Sequence, residues 1–430
     1  MGGKMQHGII LTITVLKKLK PQRQEYMGVQ ECGFKNVKIQ DYGAVVVGSG
    51  FAGSVVAREL AERKGIKVLV IEKRPHIAGN MYDERDGAGI LVHRYGPHIF
   101  HTNDARAFDY IRRFTEWRDY QHEVLADWHG VYLPVPFNKN SMETAFGKDK
   151  AAHLIDRLIE AFGDECKVTI NELRDREDPE LAQVADFVYE NVFLYYTQKQ
   201  WGVTPEEVDP SVTARVPVFI SRDNRYFQDA FQGMPQAGYT ALFENMLGHV
   251  NIDVCLGVDA ESVFELVFAD DGETAPLERI DIKGVPFTGS IIYTGPLDEL
   301  FISRFGRLPY RSLDFVYETH DRDRVLPCGT VNFTVSEDYT RITEFKHLTG
   351  QESDKTTIMK EYSRPYENPK KQIPYYAIIN DANNAHYDRY LQLTKGLENF
   401  YPIGRLAEYR YYNMDQIISR ALDLADRLCR

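Results

Sequence analysis

Residues 44–72, AVVVGSGFAGSVVARELAERKGIKVLVIE, constrain the fold more than any other stretch. Val45, Val46 and Val47 form an apolar β-branched run of the kind a buried parallel strand uses. Gly48, Gly50 and Gly53 follow as G-x-G-x-x-G. Val56 and Leu60 then lie four apart, on one face of a helix. Residues 67–71 make a second apolar strand, closed by Glu72. The pattern predicts a βαβ unit that binds a dinucleotide. Gly48 permits the tight turn, Gly50 lets main chain approach a pyrophosphate, and Gly53 lets the helix pack on the strand. The helix N-terminus favours the pyrophosphate charge, and Glu72 can accept hydrogen bonds from a ribose. A turn without a ligand needs only the glycines. The two strands, the helix and the acidic residue at their spacing argue for the dinucleotide.

After Glu72 the chain runs Lys73-Arg74-Pro75-His76-Ile77-Ala78-Gly79-Asn80-Met81. A second glycine so soon after the acidic residue lets main chain pass close to a cofactor. This resembles FAD-dependent oxidases and monooxygenases more than nicotinamide dehydrogenases. Two or three domains fit a chain of 430 residues. A net charge of −12 argues against a general nucleic-acid or anionic-membrane surface, though a few arginines can still bind an anion locally. The cysteines, Cys32, Cys166, Cys255, Cys328 and Cys429, are scattered and lack C-x-x-C spacing. They predict no disulfide framework and no metal site, which suits a reducing cytoplasm. Residues 8–16 are mildly apolar, with Lys17, Lys18, Lys20 and Arg23 after them. That order does not suit a secretory signal, and the run is too short to span a membrane. Residues 1–41 read as an extra tail, with folded protein beginning near Asp41.

Residues 104–113 predict an amphipathic helix. Val131, Leu133, Val135 and Phe137 alternate as in a strand after a hairpin turn at Gly130, and Pro134 and Pro136 suggest an edge. Residues 138–200 read as helical and end at Tyr195-Tyr196-Thr197-Gln198-Lys199-Gln200-Trp201, capped by Gly202. Residues 203–214 are Pro-bearing and polar and predict a mobile loop, closed by Arg215. Residues 242–254 suggest a helix and a strand, residues 290–293 a buried strand, and residues 416–428 a final amphipathic helix. Tyrosine is abundant, at 26 residues, with Tyr226, the pair Tyr375 and Tyr376, and Tyr409, Tyr411 and Tyr412 in patches. Tyrosine hydroxyls can donate to phosphate oxygens while their rings cover a sugar or base. Arg215 and Arg341 could supply bidentate donors to a pyrophosphate, or make surface salt bridges.

The segments GSGFAG (48–53), AGNMYDE (78–84), YGPHIFHT (95–102), DNRYF (223–227) and FQGMP (231–235) recur in an order that resembles the bacterial-type UDP-galactopyranose mutase family. The resemblance runs from about residue 42 to the C-terminus. It implies an α/β protein: a Rossmann-like FAD-binding domain (42–118, 237–300 and 396–430), an inserted helical bundle domain (138–213, with mobile loop 203–214) and an antiparallel β-sheet domain (119–137, 214–236 and 301–395). It implies contacts to FAD from Gly48, Gly50, Phe51, Ala52, Gly53, Glu72, Lys73, Gly79, Asn80, His98, Ile99, Arg405 and Met414. It implies a sugar-nucleotide site of Tyr196, Thr197, Trp201, Arg215, Tyr226, Phe227, Arg311, Arg341, Tyr376, Tyr411, Asn413 and His122. Arg215, Arg341, His98 and His101 would be closest to the chemistry. Two positions depart from the family: Asn413 stands where many members carry Asp, and His122 where others carry Asn. The implied activity interconverts UDP-galactopyranose and UDP-galactofuranose through a flavin N5–sugar adduct and an iminium. It involves no net redox change and serves galactofuranose and polysaccharide biosynthesis. FAD would act reduced, with NADPH or NADH as reductant. The partner implied is UDP-galactose, with no nucleic acid, membrane span or metal, in the cytoplasm; a homo-oligomer is compatible. The sequence reveals no conspicuous acid–base dyad. Residues 44–72 alone also suit an FAD-dependent oxidoreductase of the amine-oxidase type, or a flavin-bearing interaction protein without turnover.

Overall fold

The computed structural model describes residues 28–202 and 217–430. Its organising layer is a six-stranded parallel sheet in the spatial order Gln30–Glu31, Ile252–Leu256, Val68–Glu72, Ala44–Val47, Ser290–Tyr293, Phe400–Pro402. Strand alternation sends Ala44, Val46, Val68 and Val70 to one face, under the helices Phe51–Glu59 and Tyr239–Leu247 and the C-terminal helix Met414–Leu428. Val45, Leu69 and Ile71 go to the other face, against Tyr390 and Leu393 of the helix Asp381–Leu393. Apolar residues on both faces of each strand are what a sheet covered by helices requires. The C-terminal helix spaces Ile417, Ile418, Ala421, Leu422, Leu424 and Ala425 toward this core. Its apolar face is the one read from the sequence.

The tail expectation fails for residues 28–41. Gln30 and Glu31 extend the sheet by pairing with Asp253 and Val254. Val37 and Ile39 are buried beside the second face. Apolar side chains shielding a sheet edge gain burial that a solvated tail would forgo. The expectation of unpaired cysteines also fails at one pair: Cys32, just after the edge strand, is bonded to Cys255, with Cα atoms 5.0 Å apart. Parallel pairing of neighbouring strands brings them together, and spacing along the chain carries no sign of it. Cys166, Cys328 and Cys429 are free thiols. The bond closes a loop spanning 223 residues. Cys32→Ala should therefore lower stability by about 2–4 kcal/mol in non-reducing buffer. Denaturant titration with and without dithiothreitol checks this; an equal difference in both buffers would mean that the bond contributes nothing.

A second sheet is seven-stranded. Its seven strands run Tyr376–Ala377, Tyr310–His320, Thr356–Pro365, Arg341–Glu344, Thr330–Phe333, Val124–Trp128, Val131–Val135. Val131–Val135 is an edge strand, as its prolines suggested. The sheet is mixed rather than purely antiparallel, because Thr330–Phe333 runs parallel to Val124–Trp128. Phe231–Pro235 is not part of it. That strand pairs with Phe100–Thr102 and Trp117–Asp119 in a separate three-stranded sheet. Against the Val131–Val135 edge of the seven-stranded sheet, residues 139–201 are mostly helical, including Lys148–Phe162, Pro179–Val188 and Leu194–Trp201, but the all-helical expectation is broken by the strand Lys167–Val168, which pairs with Val218–Phe219. Leu154, Leu158, Leu181, Val184 and Val188 share a core with Leu133 and Val135 of the edge strand. No helix among the described residues is long and apolar enough to cross a membrane.

Candidate active site

The glycine turn between Val47 and Phe51 opens at the carboxyl ends of the parallel strands. A Cβ on Gly53 would lie 2.0 Å from the Gly48 carbonyl oxygen and 2.9 Å from Val46 Cγ1, so helix and strand touch there through main chain. Gly48 has φ +98°, and a Cβ on it would meet Thr294 Oγ1 at 2.1 Å. Gly79, φ +56°, packs against Gly50. Phe51 and Ala52 are buried under this turn, with Gly404 against Ala52. Glu72 is buried at the end of its strand and accepts from Ser49 N at 3.0 Å, Ser49 Oγ at 2.8 Å and Arg74 N at 2.9 Å. Both Ser49 bonds fall on Oε2, so Oε1, which takes only the Arg74 N–H, keeps a lone pair for a further donor. Arg74 stacks 4.2 Å over Tyr95 and donates to Asn80 Oδ1 at 2.9 Å, while its buried Nη1 has no hydrogen-bond partner among the described residues. Buried donors are normally paired. The orphaned Nη1 therefore fits a cradle completed by an anionic dinucleotide such as FAD. Lys73 points elsewhere: it is solvent-exposed and pairs with Glu299 at 3.0 Å.

Beyond the cradle, side chains from distant segments converge. Trp201 lies 5.7 Å from Tyr376, and Tyr376 6.2 Å from Tyr411. Arg405 sits 4.5 Å over the Tyr411 ring and donates to the Tyr412 carbonyl at 2.6 Å. Arg341 opens the strand Arg341–Glu344 and forms an ion pair with buried Glu361 at 3.3 Å. Burial works against the Arg341 charge. Glu361 and the oxygens of Tyr196, Tyr376 and Tyr226 outweigh it and raise its pKa well above the ordinary value. Burial pushes Tyr196 up to about 12, against the pull of Arg341, so its hydroxyl remains a donor. The site thus offers a fixed cation and a ring of neutral hydroxyl donors, which suits a diphosphate flanked by flat or apolar groups. Thr197 is buried on the same helix.

Three histidines lie on the cradle side. His98 is buried, takes its main-chain position through a bond from its N–H to His93 Nδ1, and precedes Ile99 at the site wall. Burial, then the charges of His93 and Arg405, keep its ring neutral by lowering its pKa well below the ordinary value. His101 stacks on Phe227 at 3.5 Å and shares a 2.7 Å hydrogen bond with Asp229. This imidazole–carboxylate pair went unseen in the sequence because its members lie 128 residues apart. His122 is buried, 4% exposed, beside Tyr226 and Phe227. Burial, then Arg341 and His101, depress its pKa to about 3.

A depressed imidazole pKa means that the unfolded chain takes up a proton which the folded chain refuses. The associated stability is complete above the unfolded value of about 6.5 and is lost as pH falls toward the folded value. Between pH 7 and 5, His122 should account for about 2 kcal/mol of lost stability. His122→Asn should flatten that acid limb by the same amount in denaturant titrations at pH 5 and 7. Parallel limbs for variant and parent would remove His122 from the acid response.

Other assigned positions are engaged differently. Arg311 is buried and directs its guanidinium at the end of the helix Leu194–Trp201, donating to the Gln200 carbonyl at 3.1 Å and to Ser363 Oγ at 3.0 Å. Through these bonds it holds the end of the aromatic helix. Asn413 is the N-cap of the C-terminal helix, its N–H bonded to Gln416 Oε1 at 2.8 Å, and Met414 follows as the first helical residue. An N-cap needs a side-chain acceptor, which Asn and Asp both supply. Arg215 and the loop 203–214 lie outside the described residues. Glu361 and Arg74 were missed; a carboxylate two thirds of the way along a long strand and a surface-like Lys-Arg pair carry no local mark.

Two family patterns match the chain: UDP-galactopyranose mutase over residues 191–411 and an NAD(P)-binding Rossmann-like domain over residues 46–114. A dTDP-fucopyranose mutase of Escherichia coli is 36% identical over 387 residues, covering 89% of this chain and 97% of that protein. A UDP-galactopyranose mutase of Mycoplasma pneumoniae is 34% identical over 395 residues, covering 89% and 95%. A solved structure of reduced UDP-galactopyranose mutase shares the fold, with a TM-score of 0.62 at 15% identity over 90% of this chain and 93% of that one.

Proposed function

The chain belongs to the UDP-galactopyranose mutase family of flavin-dependent isomerases, and from that premise we propose that it interconverts UDP-galactopyranose and UDP-galactofuranose on reduced FAD. The observation that supports this best is the position of Arg341 among Tyr196, Tyr226 and Tyr376, next to a dinucleotide cradle reached through Arg405 and His98. When bound and reduced, FAD supplies a nucleophile for the anomeric carbon and returns the sugar without net redox change. The chain's own work is binding and orientation. Glu72, Arg74 and the glycine turn hold the cofactor. Trp201, Tyr376 and Tyr411 cover the nucleotide sugar. Arg341 meets the diphosphate, and its charge stabilises that group as it departs from the sugar. Neutral His98 adds a donor or acceptor without a competing cation. Arg215 belongs to this reading as a second diphosphate arginine, brought by residues 203–214.

The three-part division into flavin, helical and sheet domains goes with the same reading, as does NADPH or NADH as reductant. Cytoplasmic residence goes with the same reading through the nucleotide sugar and the pyridine nucleotide it uses; the Cys32–Cys255 bond takes away the cysteine argument for it. A second substrate is favoured by the E. coli relative named for dTDP-fucopyranose. Anaerobic incubation of the dithionite-reduced, FAD-loaded protein with each sugar nucleotide, followed by chromatography, tests the proposal. UDP-galactofuranose should form from UDP-galactopyranose. Conversion of dTDP-fucopyranose alone would move the substrate assignment, and conversion of neither would remove the mutase reading.

A further inference from the structure

The helix Leu194–Trp201 carries Tyr196, Thr197 and Trp201, and one further side chain on it reaches away from the site. Lys199 Nζ sits in a nest of four main-chain carbonyl oxygens from one turn: Phe333, Ser336 at 2.9 Å, Glu337 at 3.3 Å and Tyr339 at 3.3 Å. An ammonium has three N–H donors and no acceptor, so this arrangement occupies all of them. The same turn joins the strand Thr330–Phe333 to the strand Arg341–Glu344, and Arg341 is its first residue beyond the bend. Glu337 within it has φ +59°, a left-handed conformation that a non-glycine residue holds only against a cost. Carbonyl dipoles aimed at one point repel one another unless a cation sits there. Burial lowers the Lys199 pKa to about 8 while Glu337 and Asp338 oppose it, so the ammonium stays charged at neutral pH.

The helix end is gripped from the other side as well. Arg311 and Ser363 bind the Gln200 carbonyl, which the helix itself leaves unpaired. With that end fixed by Arg311, Lys199 is free to act outward, on the turn.

We propose that Lys199 is a positioning residue for the sugar-nucleotide site: its ammonium ties the 334–340 turn to the aromatic helix and so fixes Arg341 relative to Tyr196 and Trp201. The ligand's identity rests on the mutase reading. The strut itself does not. Lys199→Met keeps the aliphatic stem and leaves the carbonyl nest without a donor, so the turn loosens and Arg341 loses its fixed place. A misplacement of this kind, remote from the reacting atoms, should weaken UDP binding on the order of tenfold and lower kcat more than it raises KM.

The test uses the FAD-loaded full chain and four proteins: parent, Lys199→Met, Arg341→Ala and the double variant. Calorimetric titration with UDP is paired with hydrogen exchange of the 334–342 amides without ligand. The account expects faster exchange there in Lys199→Met, a roughly tenfold weaker UDP affinity, and less than about twofold further loss when the change is made in Arg341→Ala, since coupled residues are not additive. Lys199→Gln, which keeps two donors without the charge, enters the same comparison in case the methionine variant is not recovered. UDP binding within twofold of the parent, unchanged exchange, or an undiminished loss in the Arg341→Ala background would each overturn the proposal. A lower melting temperature with unaltered UDP affinity would reduce Lys199 to a structural role. Parent protein that binds no UDP would remove the mutase reading, while the exchange result would still decide the strut.

Discussion

Arg341→Ala should abolish detectable turnover and weaken UDP binding by about 2–5 kcal/mol, the usual cost of removing one member of a desolvated charge pair. Two penalties combine. The diphosphate loses a preorganised donor carried on the strand Arg341–Glu344. Glu361, whose side chain is 2% exposed, also loses its cation and, among the described residues, keeps a long contact from Thr340 Oγ1 at 3.4 Å. A buried carboxylate left in that state stays desolvated without compensation. Arg341→Lys should recover little, because a point ammonium lacks the planar fork that can span a carboxylate on one side and a phosphate on the other. Titration of UDP into each variant, with furanose formation measured on the same reduced preparations, checks both effects. Binding and turnover like the parent's would return Arg341 to an ordinary salt bridge.

The second large effect concerns the cofactor. Gly53→Ala should give protein that is purified colourless and does not take up added FAD. The added Cβ would sit 2.0 Å from the Gly48 carbonyl oxygen, which is main chain and cannot swing aside as a side chain could. Overpacking of this kind costs about 1–3 kcal/mol, and relief requires the helix Phe51–Glu59 to lift from the strand Ala44–Val47. That movement would take the helix N-terminus out of register with the pyrophosphate. Flavin absorbance per protein, before and after reconstitution, is the measurement. Stoichiometric FAD in the variant would mean that the turn is not the pyrophosphate cradle.

What was legible in the sequence follows from the range of the interactions involved. The Ala44–Val47 strand, the glycine turn and the next helix are set by residues within a few positions of one another, and the structure reproduces them. The C-terminal helix was legible for the same reason, its 3.6-residue apolar stripe being a local property. The Cys32–Cys255 bond depends on which strand lies beside Gln30–Glu31, a choice made across more than two hundred residues. Thr330–Phe333 joining Val124–Trp128 in parallel is of the same kind. Arg311 has a second engagement that its residue type did not reveal. Its residue type suited a phosphate site, but the helix above it needed a cation for its unpaired carbonyls, and the side chain went there. His101 and Asp229 meet where Phe231–Pro235 pairs antiparallel with Phe100–Thr102. Motif resemblance could name the tyrosines, yet the rings they touch come from segments as far apart as Trp201 and Tyr376.

In the proposed mechanism the flavin serves as a returning partner of the sugar and not as an acceptor of its electrons. It is tested most directly by counting turnovers per electron. FAD-loaded protein is photoreduced anaerobically with a known number of equivalents, the reductant is removed, and UDP-galactopyranose is added while the flavin spectrum and product are followed together. Many furanose molecules should form per flavin, with the spectrum remaining that of the reduced cofactor. Oxidised product at no more than one equivalent per flavin, with the flavin changing redox state in step, would contradict that mechanism and return the chain to the oxidoreductase reading.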